Sequence, residues 1–275
     1  MIDLMFWAPV MGAGAVSGAS TGLLGTYIVG MRVPFLGVCV SHAALAGAVF
    51  GALFGLTGPV LMLPAAAGAV TTALCLGIWD PRRAKIDSNV LLGMLFSLTM
   101  GLAFLGLGLF SVYGVSDNEV RGLLWGSLNF CRWSDFSIMA ATGLAEVVFI
   151  GLFYKELRAI LFSRAHAAAA GVRVSLVWTL FLILASLVLT VNFQTVGGLM
   201  IYSLLTNPAA AAFLLVKGYG RALALSALFG TISGLGGFLL AAWLDLPTGA
   251  MIVILSSLLV GAAAGMSRVI AGNRE

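Results

Sequence analysis

An all-α, polytopic membrane protein is the fold class this sequence predicts, and three observations predict it. The chain is 61% hydrophobic and 9% charged, whereas a soluble domain carries about 25% charged residues. Its mean hydropathy is +1.11. Stretches free of Asp, Glu, Lys and Arg cover 4–31, 33–79, 88–116, 174–216, 222–244 and 246–267. Each is at least as long as the roughly 20 apolar residues that cross a hydrocarbon core. Barrel strands would alternate polar and apolar residues, and these runs do not.

The charges order the spans. Lys and Arg collect at Arg32, in "DPRRAKID" at 80–87, in "YKELRAILFSRAHAAAAGVR" at 154–173, in "VKGYGR" at 216–221 and in the C-terminal "SRVIAGNRE". The turns "FGLTGP" at 54–59, "YGVSDNE" at 113–119, "NFQTVGG" at 192–198 and "DLPTG" at 245–249 hold neither. The two sets alternate, so the positive-inside rule puts the basic set and the C-terminus in the cytoplasm and the N-terminus outside. Nine spans satisfy this order: about 6–30, 34–56, 58–79, 89–112, 135–154, 174–192, 196–216, 222–243 and 249–267. The segment 120–133 is too short and too charged to span. It suits an interfacial or re-entrant helix with Trp125 and Trp133 at headgroup depth, and a hairpin there would make the count eight or ten.

In the first span Gly14, Gly18 and Gly22 share one helix face, as do Gly230 and Gly234 in the eighth. Small faces let helices approach backbone to backbone, within a bundle or at a dimer seam. The second span carries His42, one of two histidines, inside the charge-free 33–79 run. A polar side chain at membrane depth is a functional hypothesis by default. Cys39 at i−3 and Val38 at i−4 share its side of a helix. Imidazole and thiolate are ligands for zinc and its neighbours; a histidine bonded to an adjacent helix is the alternative. Glu146 in the fifth span could pair with an arginine, hydrogen-bond as the acid, or face a path. Asn207-Pro208 interrupts the seventh span, giving a kink or a path-lining break. Asn192 and Gln194 read as loop residues. The basic stretch 155–173 holds His166 and the alanine run 167–170; alanine favours helix, and Gly171 can cap it.

Other features bound the function. The basic residues sit in short loops, so the net charge of +4 does not call for nucleic acid. Cysteines 39, 75 and 131 are odd in number and scattered, so no disulfide framework is expected. The N-terminus lacks the basic region of a cleaved signal. No polar stretch is long enough for a separate soluble domain, so 1–275 reads as one transmembrane domain. There is no G-x-x-x-x-G-K-[ST] phosphate loop, so any ATP-derived energy must come from another polypeptide. A stand-alone secondary transporter would need coupling charges inside the spans, and only Glu146 qualifies. An intramembrane enzyme would have only His42 with Ser41 or Cys39.

The run "TGLLGTYIVGMRVPFLGVCVSHAALAGAVFG" resembles the start of the permease subunits of ABC importers for zinc, manganese and iron, the ABC-3 family. Gly22–Gly25 matches its "GLLG", and Ser41-His42-Ala43 matches the "SHA" of its "LLGDALSHAVLPG". Further matches follow in order: "RRAKIDSNVLLGMLFSL" at 82–98, "LLWGSLNFCRWSDF" at 123–136, "GGLMIYSLLTNPAAAAFLL" at 197–215 and "WLDLPTGAMIVI" at 243–254. The resemblance implies the metal and vitamin-B12 importer type of permease fold, in a prokaryotic cell membrane. It implies two copies around a central path, two ATPase subunits on the cytoplasmic loops and an extracellular metal-binding protein. The divalent metal is cargo, and no permanent cofactor is implied. The resemblance carries over His42, as a transient ligand at the outer end of the path; Cys39 beside it is a second transient ligand, and Ser41, Glu146 and Asn207 are path candidates on their own chemistry. The family's aspartate four residues before the histidine is Val38 here, which favours a softer ion such as zinc or ferrous iron over manganese. "FSRAHAAAAG" at 162–171 is similar to the family's coupling segment, which assigns Phe162, Arg164, Ala167 and Gly171 to ATPase contact; Ser163 and Ala165 replace acidic residues.

Overall fold

The computed structural model describes residues 4–78, 87–116, 120, 126 and 128–272. They form α1 (Leu4–Gly30), α2 (Leu36–Leu53), α3 (Met62–Ile78), α4 (Ser88–Tyr113), α5 (Trp133–Leu152), α6 (Tyr154–Phe162), α7 (Arg164–Ala169), α8 (Val174–Val196), α9 (Gly198–Leu215), α10 (Tyr219–Leu244) and α11 (Thr248–Gly272). Short 3-10 turns at Gly58–Leu61 and Leu128–Phe130 complete the described elements. In lipid a backbone N–H or C=O has no water to bond, so each apolar run closes its hydrogen bonds internally as a helix. Hydroxyls do the same: Thr21 Oγ1 donates to the Ser17 carbonyl at 2.6 Å, Thr190 Oγ1 to Ser186 at 2.7 Å and Ser233 Oγ to Phe229 at 2.8 Å. The turns follow local chemistry. Asp87 caps α4 by accepting from the Asn89 N–H at 2.8 Å. Gly114, at φ 66°, ends it in the left-handed conformation.

The chain divides into two compact units. The first comprises residues 1–34, 127–143 and 199–275. Its central contact is α1 against α10. A Cβ on Gly18 would overlap the Gly230 carbonyl, one on Gly230 would overlap the Gly18 carbonyl, and one on Gly234 would overlap the Gly14 carbonyl. The two glycine stripes therefore face each other inside this chain, antiparallel, and the seam is bundle packing. One turn on, Ser226 Oγ donates to the Gly22 carbonyl at 2.5 Å. Tyr27 and Tyr219 meet edge to face at 5.3 Å. Gly25 lies against the Leu205 carbonyl of α9, and α11 packs on α10.

The second unit comprises 35–126 and 144–198. Here α2 is the hub, touching α3, α4 and α8. Gly47 meets the Pro64 carbonyl and Gly68 the Ala43 carbonyl, so α2 and α3 also cross at backbone distance. Gly106 of α4 seats the Val49 side chain. After α5, the amphipathic α6 turns Leu157 and Ile160 inward and leaves Lys155 and Arg158 exposed. It leads into α7, and both touch α8.

Among the described residues, seven helices are long and apolar enough to cross a bilayer: Leu36–Leu53, Gly58–Gly77, Ser88–Tyr113, Trp133–Leu152, Val174–Phe193, Tyr219–Leu244 and Thr248–Val269. The expected first and seventh spans coincide with α1 and α9. Gly, Ser and Thr dilute the apolar character of α1, and the apolar part of α9, Met200–Leu215, is shorter. The helix expected at 120–133 lies largely outside the described residues, as does the 80–86 turn. Trp133 opens α5 and is exposed. Asn192 and Gln194 are not in a loop: α8 continues to Val196, and Asn192 is buried. The helix needs no polar break there, because its own ladder satisfies the backbone.

Replacing Gly230 by Leu forces a side chain into the α1 backbone. It should lower the thermal midpoint of the detergent-solubilised protein by an amount equivalent to at least about 2 kcal/mol, within the range for overpacking. Gly101→Ala, where a Cβ meets nothing within 4 Å, should leave the midpoint unchanged or raise it.

Candidate functional site

The site is built on α2, most of whose residues are enclosed. Leu36, Gly37, Cys39, Val40, Ser41 and Ala43–Ala46 are buried. Val38 and His42 are only half-buried. Helical geometry explains the selection. At about 100° per residue, Val38 at i−4 lies some 40° from His42, and Cys39 at i−3 lies some 60° away on the other side. The open stripe includes the first and not the second. Cys39, expected on the histidine's face, has no accessible surface. Ser41 is equally enclosed, and its Oγ has no hydrogen-bond partner.

The imidazole of His42 stacks on Phe96 of α4, with ring centroids 5.0 Å apart and planes inclined by 30°. Phe96 in turn meets Phe35 edge-on at 5.3 Å. This aromatic wedge fixes the ring plane. Nδ1 is buried and has no partner. Nε2 is not among the buried unpartnered atoms and makes no hydrogen bond with described residues, so it lies on the accessible edge of the ring. The alternative of a histidine bonded to a neighbouring helix finds no partner. Phe96 was invisible to sequence reasoning, since nothing in "LLGMLFSLTM" marks one aromatic residue as a ring support.

The depth of His42 depends on the topology. It lies six residues after the Leu36 start of α2, about 9 Å along the axis. With the N-terminus outside, α2 begins at the cytoplasmic face. An outer-end histidine and an outer N-terminus are therefore incompatible, and under the positive-inside reading His42 lies in the inner half of its span.

Glu146 in α5 has no accessible surface, and among the described residues neither carboxyl oxygen meets a hydrogen-bond donor. That removes the expected arginine pair and the expected hydrogen-bonded acid. Asn207 in α9 is half-buried, and its Nδ2 donates to Ser256 Oγ at 3.0 Å and to Ser257 Oγ at 3.2 Å on α11. Pro208 sits inside α9 and cannot donate to the Leu204 carbonyl. The two serines were missed, their only signal being a polar pair within "MIVILSSLLV". Among the described residues no three His, Cys, Asp or Glu side chains converge as a metal cage.

The basic loop folds into α6 and α7. Ser163 caps α7 by accepting from the His166 N–H at 3.3 Å. The helix ends in paired bonds, Gly171 N–H to the Ala168 carbonyl and Val172 N–H to the Ala167 carbonyl, both 3.0 Å, with Gly171 at φ 86°. This is the glycine cap the sequence indicates. Phe162 is 83% exposed. Arg164 lies over the Trp178 ring at 4.7 Å, a tie that sequence spacing did not suggest. Ala167 is buried, so it anchors α7 rather than presenting a docking surface, whereas His166 is exposed.

With this geometry in view, comparison with known proteins is specific. The profile of the ABC 3 transport family matches residues 1–265. The manganese transport system membrane protein MntD of Bacillus subtilis is 30% identical over 264 residues, covering 90% of this chain and 88% of that protein. MntC of Halalkalibacterium halodurans, also a manganese transport system membrane protein, is 29% identical, covering 96% and 88%. The chelated iron transport system membrane protein YfeC of Yersinia pestis is 28% identical, covering 89% and 80%. The solved structure of PsaBC from Streptococcus pneumoniae in complex with Fab superposes with a TM-score of 0.80 at 23% identity, covering 94% of this chain and 90% of that one, a likeness of fold. A helical chain matched from its first residue almost to its last, and of nearly the same length as these transport proteins, belongs to the ABC 3 transport family.

Proposed function

We propose that this chain is the membrane-spanning permease subunit of an ATP-driven importer of divalent metal ions. The single observation that carries the site is His42: a half-open imidazole with an accessible Nε2, wedged by Phe96 on a mostly enclosed membrane helix. His42 is a transient ligand of the ion in transit. A lone neutral ligand per subunit binds weakly enough to release, where a closed tetrahedral set would hold zinc. Cys39 packs beside the path in this conformation. Ser41, Glu146 and Asn207 are further candidates along it.

The chain acts as one permease domain of nine spans, with α1 and α9 as the two that are less apolar or shorter. It carries its N-terminus outside and its C-terminus in the cytoplasm of a prokaryotic cell. Two copies surround the path, and ATP binding and hydrolysis on two separate ATPase subunits drive alternating access. An extracellular metal-binding protein delivers the ion. The relatives' names support manganese or iron as cargo. The missing carboxylate at Val38 argues against manganese and for a softer ion, zinc or ferrous iron. The 155–173 loop is the coupling segment: Phe162 projects from it, and Arg164, Ala167 and Gly171 hold its shape.

His42→Ala in the assembled transporter should reduce metal uptake into liposomes by at least about tenfold, the loss typical of weakened metal coordination, with ATPase assembly intact. Normal uptake would sink the site. Val38→Asp adds a carboxylate to the same open stripe and should raise manganese uptake relative to zinc; an unchanged ratio argues against that stripe as the path.

Phe162→Ser should uncouple ATP hydrolysis from uptake without altering the amount of folded permease. Coupled hydrolysis at the wild-type ratio would move the docking surface elsewhere. His166→Ala, at an exposed position, should leave uptake within about twofold, as surface changes usually do.

A further inference from the structure

We infer that Asn207, held by Ser256 and Ser257, presents a carbonyl oxygen as a second cation-binding point, one that takes a hard divalent ion such as manganese. The inference rests on the permease reading above. Asn207 lies nine residues after Gly198 and eight before Leu215, near the middle of α9 and so about 12–14 Å from either end. The hydrogen-bond pattern fixes which way its amide points. Ser256 Oγ donates to the Val253 carbonyl at 2.9 Å, and Ser257 Oγ donates to the same carbonyl at 2.8 Å. A hydroxyl has one proton to give. With both spent on Val253, the serines can only accept, so the amide must turn its NH2 toward them. Both amide protons are then engaged, and the carbonyl Oδ1 faces the other way.

No described residue donates to that oxygen, and it is not among the buried unpartnered atoms. It is an accessible, oriented acceptor at mid-membrane depth. Acyl chains cannot satisfy it, and irregular polar groups at this depth are tolerated only beside protein or a water-filled path. An amide carbonyl is a neutral oxygen ligand of the class that suits manganese and magnesium rather than copper or zinc. The two serines act as outer partners that keep the ligand aimed. α9 and α11 thus supply a hard donor, while His42 on α2 supplies a softer one.

The test uses the full transporter in liposomes, with Mn2+ and Zn2+ uptake measured by elemental analysis. Asn207→Leu keeps the volume and removes the oxygen. It should cut Mn2+ uptake by about tenfold, the scale of losing a metal's coordinating support, and Zn2+ uptake by less. Asn207→Asp, which keeps an oxygen, should retain Mn2+ uptake. The double variant Ser256→Ala/Ser257→Ala leaves Asn207 in place but unaimed and should show a partial Mn2+ loss. Mn2+ uptake within about twofold of wild type in either the Leu or the double-Ala variant, or an equal fall for both metals, overturns the inference. So does loss of the two-copy assembly on size exclusion, which would make Asn207 a contact with a second copy. If the wild-type transporter takes up no divalent ion at all, the permease reading itself fails; if it does and Asn207→Leu matches it, only this inference fails.

Discussion

Everything in the first unit depends on the absence of side chains where α1 crosses α10. Between two helices in lipid there is little hydrophobic gain, because acyl chains are as apolar as leucine. Association then rests on close van der Waals contact, and contact is closest where no Cβ intervenes. Gly18 and Gly230 each occupy the space that a methyl on the other would need, and Gly14 with Gly234 repeats the arrangement one turn away. Ser226 adds a hydrogen bond to the Gly22 carbonyl. The second unit solves the same problem with Gly47 and Gly68 against the carbonyls of Pro64 and Ala43. The hub helix α2 is thereby held closely enough to leave only a narrow stripe open.

That economy makes the exceptions informative. Most intramembrane hydroxyls bond back to their own helix and ask nothing of their surroundings. His42 Nδ1, Ser41 Oγ and both oxygens of Glu146 do not. The Asn207 amide reaches to another helix rather than its own. The first three are places where the fold tolerates an unpaired polar group, and polar groups at membrane depth are by default functional hypotheses. The aromatic wedge of Phe96 on His42 belongs to the same logic, since a ring that bonds to nothing needs another means of orientation.

Much of this was legible in the sequence. The long charge-free runs became long helices because lipid leaves the backbone no alternative. The glycine spacing identified both stripes, although only the fold decided that they face one another. The Gly171 cap followed from an alanine run meeting a glycine. What escaped was rotational or long-range. Residues at i−3 and i−4 look equivalent neighbours of His42 in a sequence, yet burial separates Cys39 from Val38. Ala167 matched a docking segment by position, but its methyl points inward and Phe162 is the exposed group. Ser256 and Ser257 stand 49 and 50 positions from Asn207, a separation no local periodicity can encode.

The crossing of α1 with α10 also sets a timetable for biosynthesis. Gly22 and its partner Ser226 are 204 residues apart. At about 5–20 residues per second, a ribosome needs roughly 10–40 s to reach the second after making the first. Throughout that interval α1 sits in the membrane with its glycine face bare, long after it has left the ribosome. A bare small-residue face is adhesive toward any passing helix of similar kind. Until the last third of the chain is made, the partner that covers this face does not exist.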